Sequence, residues 1–82
     1  MFYVYVLRSD ASGRHYIGST KDVSRRVAQH NTGMMRSTRG QRPWHLVYTE
    51  AFESLAEARG REMQLKSWKN PTYLRERLGI VE

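Results

Sequence analysis

The chain reads as a small α+β domain: a three-stranded, largely antiparallel sheet flanked by two to three helices, in the order strand, strand, helix, strand, helix, helix. Three observations point to it. Aromatic and β-branched residues gather in short runs between turn-forming residues, the pattern of strands. Two later stretches switch to helical periodicity behind helix-capping residues. The length, 82 residues, fits a single domain over residues 1–82 with a modest core, because domains usually run to roughly 50–200 residues.

Residues Phe2 to Leu7 form the first predicted strand, rich in aromatic and β-branched types. Ser9-Asp10-Ala11-Ser12-Gly13 supplies turn chemistry, and His15-Tyr16-Ile17-Gly18 is the returning strand. With Ser9 to Ser12 as a four-residue loop, position i pairs with 21 − i, so Tyr5 faces Tyr16 directly across the hairpin. A slip of one residue would send the two rings to opposite faces. A helix runs from Asp22 to about Asn31, with Asp22 or Thr20 as N-cap and Asn31-Thr32-Gly33 as its end. Gly33 to Pro43 is a polar loop, and Trp44 to Phe52 alternates again as a third strand. Ser54 and Glu57 have capping-box spacing and open a helix that reaches about Lys69. Asn70-Pro71 starts a last short helix ending at Gly79. Asn70 needs no role beyond that cap, and Trp44, Phe52 and Trp68 suit the core or its cover. Gly60, in mid-helix, costs about 1 kcal/mol against alanine and is accounted for only by close packing.

There is no cysteine, which excludes a disulfide framework and a thiolate zinc site and suits a reducing compartment. No apolar run approaches the roughly 20 residues that a membrane span needs. The N-terminus lacks a basic region ahead of its apolar stretch, so no signal peptide is expected. The expectation is a cytoplasmic protein with no membrane partner. The formal net charge is +6, with arginine dominating the positive side. Arginine suits phosphate because its planar fork can bind two oxygens at once. A basic balance of this kind favours a polyanionic partner, most often DNA or RNA.

Where the charges fall is more specific. With Val23 as zero and a turn of about 100° per residue, Val27 lies at about +40°, His30 at about −20° and Arg26 at about −60°. Arg26 and His30 therefore stack along the apolar stripe of the first helix, while Arg25 points to solvent. Arg26 either folds its stem over the core and snorkels outward or serves a site, and His30 alone reads as a structural histidine. On the second helix, with Leu55 as zero, Glu62 falls at about −20°, between the apolar positions and Ala58 at about −60°. A glutamate there is paired or bound to a metal. The choices are a salt bridge to Arg26 or another arginine, and a carboxylate ligand for a hard cation such as Mg²⁺. Arg36, Arg39 and Arg42 sit among small polar residues in the central loop. That is either an ordinary solvated loop or, the better reading, a set of phosphate contacts.

Tyr3-Val4-Tyr5 followed by Tyr16-Ile17-Gly18 resembles the GIY-YIG nuclease domain. The resemblance continues past the triplets and covers nearly the whole chain. Arg26 falls eight residues after Gly18 and His30 twelve after it, where that family has its catalytic arginine and a histidine or tyrosine. Glu62 matches the family's single metal-binding glutamate. The chain looks like a small stand-alone bacterial member. The first triplet departs from Gly-Ile-Tyr, so only Tyr5 carries over. Many relatives have lysine directly after the second glycine. Here Ser19 follows, and Lys21 would have to serve if an amine is needed.

The resemblance implies metal-dependent endonucleolytic hydrolysis of phosphodiester bonds, in DNA or another nucleic acid. On that implication Tyr16 activates the water, aided by Tyr5 or His30. A tyrosine free in water ionises near ~10, so a phenol is a competent base only where positive charge favours phenolate. Arg26 and one Mg²⁺ or Mn²⁺ on Glu62 would supply that charge, and Arg26 would hold the scissile phosphate. Gly18, Lys21, Arg36, Arg39 and Arg42 are the expected nucleic-acid contacts, and a protein partner could add specificity. The alternative is a nucleic-acid-binding module of the same fold with weak or no turnover. A third reading is a structural protein whose buried ions pair with one another.

Overall fold

A computed structural model describes residues 1–81. Strands β1 (Phe2–Ser9), β2 (His15–Thr20) and β3 (Trp44–Phe52) make one antiparallel sheet in the order β2-β1-β3. Helix α1 (Val23–Asn31) lies between β2 and β3 in sequence, and α2 (Leu55–Ser67) and α3 (Pro71–Leu78) follow β3. The α+β architecture and the element order are those expected. The central loop differs in carrying a short 3-10 turn over Arg39–Gln41.

Each helix starts where a side chain can satisfy a free amide. Asp22 accepts from the Arg25 N–H, Ser54 from the Glu57 N–H, and Asn70 from the N–H groups of Thr72 and Tyr73. Pro71 occupies the first turn of α3 and Gly79, at φ 68°, closes it in the left-handed region. Among the described residues no helix is long and apolar enough to cross a membrane.

The hairpin register departs from expectation. Tyr5 pairs with Gly18 and Leu7 with Tyr16, so position i pairs with 23 − i. The cause lies in the turn. Gly13 has φ +75° and sits at its last position, a conformation that suits glycine and not Ser12. Ser9 therefore extends the strand: its N–H donates to Arg14 O at 2.8 Å, and its Oγ accepts from the amides of Ala11 and Ser12. The shift is two residues and side chains alternate with period two, so both tyrosines keep one face.

The sheet separates two clusters. Val4 and Val6 meet Ala58, Leu65 and Leu74 of the later helices on one side. Tyr5, Leu7 and Trp44 meet Tyr16, Val23 and Val27 on the other. Asn31 ties α1 to β3 by donating to Trp44 O at 2.8 Å and accepting its N–H at 2.6 Å. Gly60 lies in open space: a Cβ there would meet nothing within 4 Å. Close packing does not explain it.

Candidate active site

Strand β2 is an edge strand, with α1 on one side and α2 on the other. A cleft of about 320 Å³ wraps that edge. Tyr5, Tyr16 and Arg26 reach it from the α1 side, Arg59, Glu62 and Met63 from α2, and Gly18 and Ser19 from β2 itself. Four of the expected catalytic and metal positions, Tyr5, Tyr16, Arg26 and Glu62, thus line one concavity.

Gly18 is what lets Tyr5 lie there. A Cβ on Gly18 would come 2.5 Å from Tyr5 Oη and 2.7 Å from Cζ. The ring covers the glycine across the strand pair, and the centroids of Tyr5 and Tyr16 are 6.3 Å apart. The two phenols are diagonal neighbours, not directly opposed.

His30 lies behind this pair. Fully buried, it is absent from the cleft lining, with its ring centroid 4.7 Å from that of Tyr16. Its Nε2 is 3.1 Å from Tyr5 Oη and its Nδ1 is 2.8 Å from Thr38 Oγ1. Thr38, also buried, donates to Met35 O at 3.3 Å. That donation assigns the tautomer: Nδ1–H donates to Thr38, and the Tyr5 hydroxyl donates to Nε2. The Arg26 charge also acts on Tyr5. The result is a directed chain from Tyr5 through His30 to Thr38.

The electrostatics agree with it. Burial pushes the Tyr5 phenol well up from its ordinary value, and Tyr16 adds to the rise against the opposing Arg26 charge. Tyr5 is thereby held as a neutral donor. His30 is pushed down, first by burial and then by the Arg26 charge, which keeps its imidazole neutral and able to accept.

Glu62 keeps 19 % of its side chain exposed. Its Oε1 accepts from Ser19 Oγ at 2.6 Å and its Oε2 meets Lys66 Nζ at 2.5 Å. Burial raises its pKa, but Lys66, Ser19 and the more distant Arg59 together outweigh burial and hold the carboxyl below the usual range. Its ion-pair partner is a lysine one turn along the same helix, not an arginine. Lys66 also supplies the amine nearest this carboxylate, whereas Lys21 sits over the Phe2 ring at 5.1 Å from its centroid and does not line the cleft. Arg36, Arg39 and Arg42 do not line it either; Arg42 Nε donates to Arg39 O at 2.7 Å within the loop.

Arg59, Ser19, Lys66 and Thr38 were not singled out by the charge pattern. Arg59 and Lys66 could have been, lying three residues before and four after Glu62 on neighbouring helical positions. Thr38 carried no such signal, being one small polar residue in a polar loop.

Among the described residues no three His, Cys, Asp or Glu side chains converge as a metal-ligand group. The donor set is a single carboxylate facing the cleft. It fits a hard divalent ion whose remaining positions are filled by water and substrate phosphate, a common arrangement for Mg²⁺. The Lys66 ammonium shows that a cation can sit at this carboxylate.

The model of the GIY-YIG catalytic domain matches residues 1–75. The chain belongs to the GIY-YIG family, a nuclease superfamily. Its relatives are small UPF0213 proteins. One from Halobacterium salinarum is 46% identical over 67 residues, covering 80% of this chain and 86% of that one. One from Staphylococcus aureus is 39% identical over 74 residues, covering 89% of each chain. The solution NMR structure of a UPF0213 protein from Bacillus halodurans superposes with a TM-score of 0.60 at 36% identity, over 96% of this chain and 84% of that one.

Proposed function

We propose that the protein is a metal-dependent endonuclease that hydrolyses phosphodiester bonds, DNA being the first substrate to test. The observation that carries the reading is the shared cleft: two phenols, two guanidiniums and one carboxylate meet at the edge of β2. Arg26 holds the non-bridging oxygens of the scissile phosphate and offsets the charge that gathers there in the transition state. Tyr16 takes the proton from the attacking water. Tyr5 does not compete for that proton, because its own is kept on oxygen by burial and directed to His30. His30, shielded from the cleft, positions Tyr5 and does not touch substrate. Glu62 would hold the divalent ion, Mg²⁺ or Mn²⁺. When bound, that ion supplies positive charge that stabilises the leaving oxygen.

A panel of labelled single-stranded, duplex and branched nucleic acids, incubated with Mg²⁺, Mn²⁺ or EDTA, tests this directly. Wild type is expected to cut at least one substrate with a divalent ion and none in EDTA. Arg26→Ala and Glu62→Gln are expected to lose about a hundred-fold or more in rate, the scale of one transition-state contact, while keeping the wild-type circular dichroism. Cleavage by Glu62→Gln at the wild-type rate would remove the metal role.

One observation favours a second reading. Both oxygens of Glu62 are already engaged, by Ser19 and Lys66. A carboxylate already engaged in this way suits a nucleic-acid-binding module without turnover. Binding that is unchanged by EDTA, with steep salt dependence and no cleavage of any substrate, would select it.

A further inference from the structure

A second groove, of about 390 Å³, runs along the same edge of β2 toward its N-terminal end, walled by the α2–α3 junction. Its floor is apolar: Ile17, Leu65, Leu74, Pro71 and Trp68. Its rim is cationic, with Arg14, Lys66 and Lys69, and among the described residues no acidic side chain lines it. The groove adjoins the catalytic cleft: Tyr16 lines both, and Lys66 reaches from its wall to Glu62. Trp68 is held in place by Arg61 and Arg77, 5.5 and 5.7 Å from its ring, and by the edge-on ring of Tyr73 at 5.3 Å.

We propose that this groove seats an unpaired nucleotide flanking the scissile phosphate, so that the preferred substrate carries a single-stranded segment beside the cut. An apolar floor under a positive rim matches a nucleotide, whose base offers a flat apolar face and whose phosphate offers charge. In a duplex both faces of a base are covered by its stacked neighbours, and only an unpaired base has one to give. The size agrees: a volume within the roughly 300–1,000 Å³ that buries a small ligand takes one nucleotide or two, not a double helix. The placement rests on the endonuclease reading, since it locates the groove relative to the phosphate held by Arg26.

The test uses fluorescein-labelled blunt duplex, single strand and flapped duplex, with anisotropy in EDTA and cleavage in Mn²⁺. Wild type is expected to bind the flapped and single-stranded forms about ten-fold more tightly than the blunt duplex, the scale of one stacked base. The exposed-rim variant Arg14→Glu/Lys69→Glu is expected to lose that preference. An abasic nucleotide walked along the flap should weaken wild-type binding at one or two positions next to the cut. Trp68→Ala should abolish that positional penalty, a comparison made within each protein and therefore insensitive to a general loss of stability. Equal affinity for all three forms, or no positional penalty while cleavage proceeds, overturns the groove and leaves the endonuclease standing. A positional penalty in a wild type that cuts nothing retains the groove as a binding site and removes the endonuclease. A dimer in sedimentation that Lys69→Glu dissociates, with no strand preference, assigns the groove to a second copy of the chain and overturns the proposal.

Discussion

Glu62 and Gly18 show how a single side chain, or its absence, sets this site. The lysine on Glu62 is an i,i+4 neighbour with 52% of its side chain exposed, and such pairs are weak. It occupies the carboxylate without sealing it. Removing it with Lys66→Ala is expected to let Mn²⁺ raise the melting temperature at several-fold lower concentration than in wild type. Glu62→Gln/Lys66→Ala should show no Mn²⁺ effect, and an unchanged titration in Lys66→Ala would mean that the ammonium does not compete. Gly18→Ala places a methyl group against Tyr5 Oη and Cζ, and the buried ring cannot retreat freely. Overpacking of this kind costs about 1–3 kcal/mol, measurable as a lower urea midpoint, and cleavage should fall with the displaced phenol. That Tyr5 and Tyr16 share a face was legible in the hairpin, although the direct pairing expected of them is not what forms. Thr38, the partner of His30, was not legible, because the loop pattern says nothing of which polar residue turns inward.

Among the elements, the helices follow their local code closely. Three caps, at Asp22, Ser54 and Asn70, stand where the residue types put them. The hairpin followed a weaker code: turn residues run from Ser9 to Gly13, and only the positive φ of Gly13 selects which four form the loop. Helix α2 contains one avoidable cost. Gly60 is exposed, its Cβ position is open, and no strained backbone needs it. Gly60→Ala is expected to stabilise the protein by about 1 kcal/mol, a rise of roughly 4–8 °C in melting temperature for a domain this size, with cleavage unchanged. A neutral or lower melting temperature would show that the glycine serves something beyond the helix.

Over the molecule as a whole, the sheet keeps Tyr5 and Val4 in separate clusters and leaves the edge of β2 as the only line where α1 and α2 chemistry meets within the described cleft. Global stability should report on the buried histidine. His30 is held neutral in the fold by burial and by Arg26, whereas in the unfolded chain it takes up a proton near ~6.5. Below that pH the unfolded state binds more protons than the native one, so stability present above about pH 6.5 is lost as the pH falls. The melting temperature is expected to decline from pH 7 to pH 5. The slope should be shallower in His30→Gln, whatever its absolute stability; an identical slope would trace the effect to other groups.

Residue type and spacing along the chain were enough for the strands, the capped helices, and the two helical stripes that carry Arg26, His30 and Glu62. These depend on interactions within a few residues, or on periodicity alone. A two-residue error in register left the tyrosines on one face for the same reason. Partners were another matter. That Glu62 meets Ser19 and that His30 is sealed behind Tyr5 depend on how two helices close over opposite sides of one edge strand. Contacts between residues tens of positions apart are chosen by packing, and packing has no signature in local sequence.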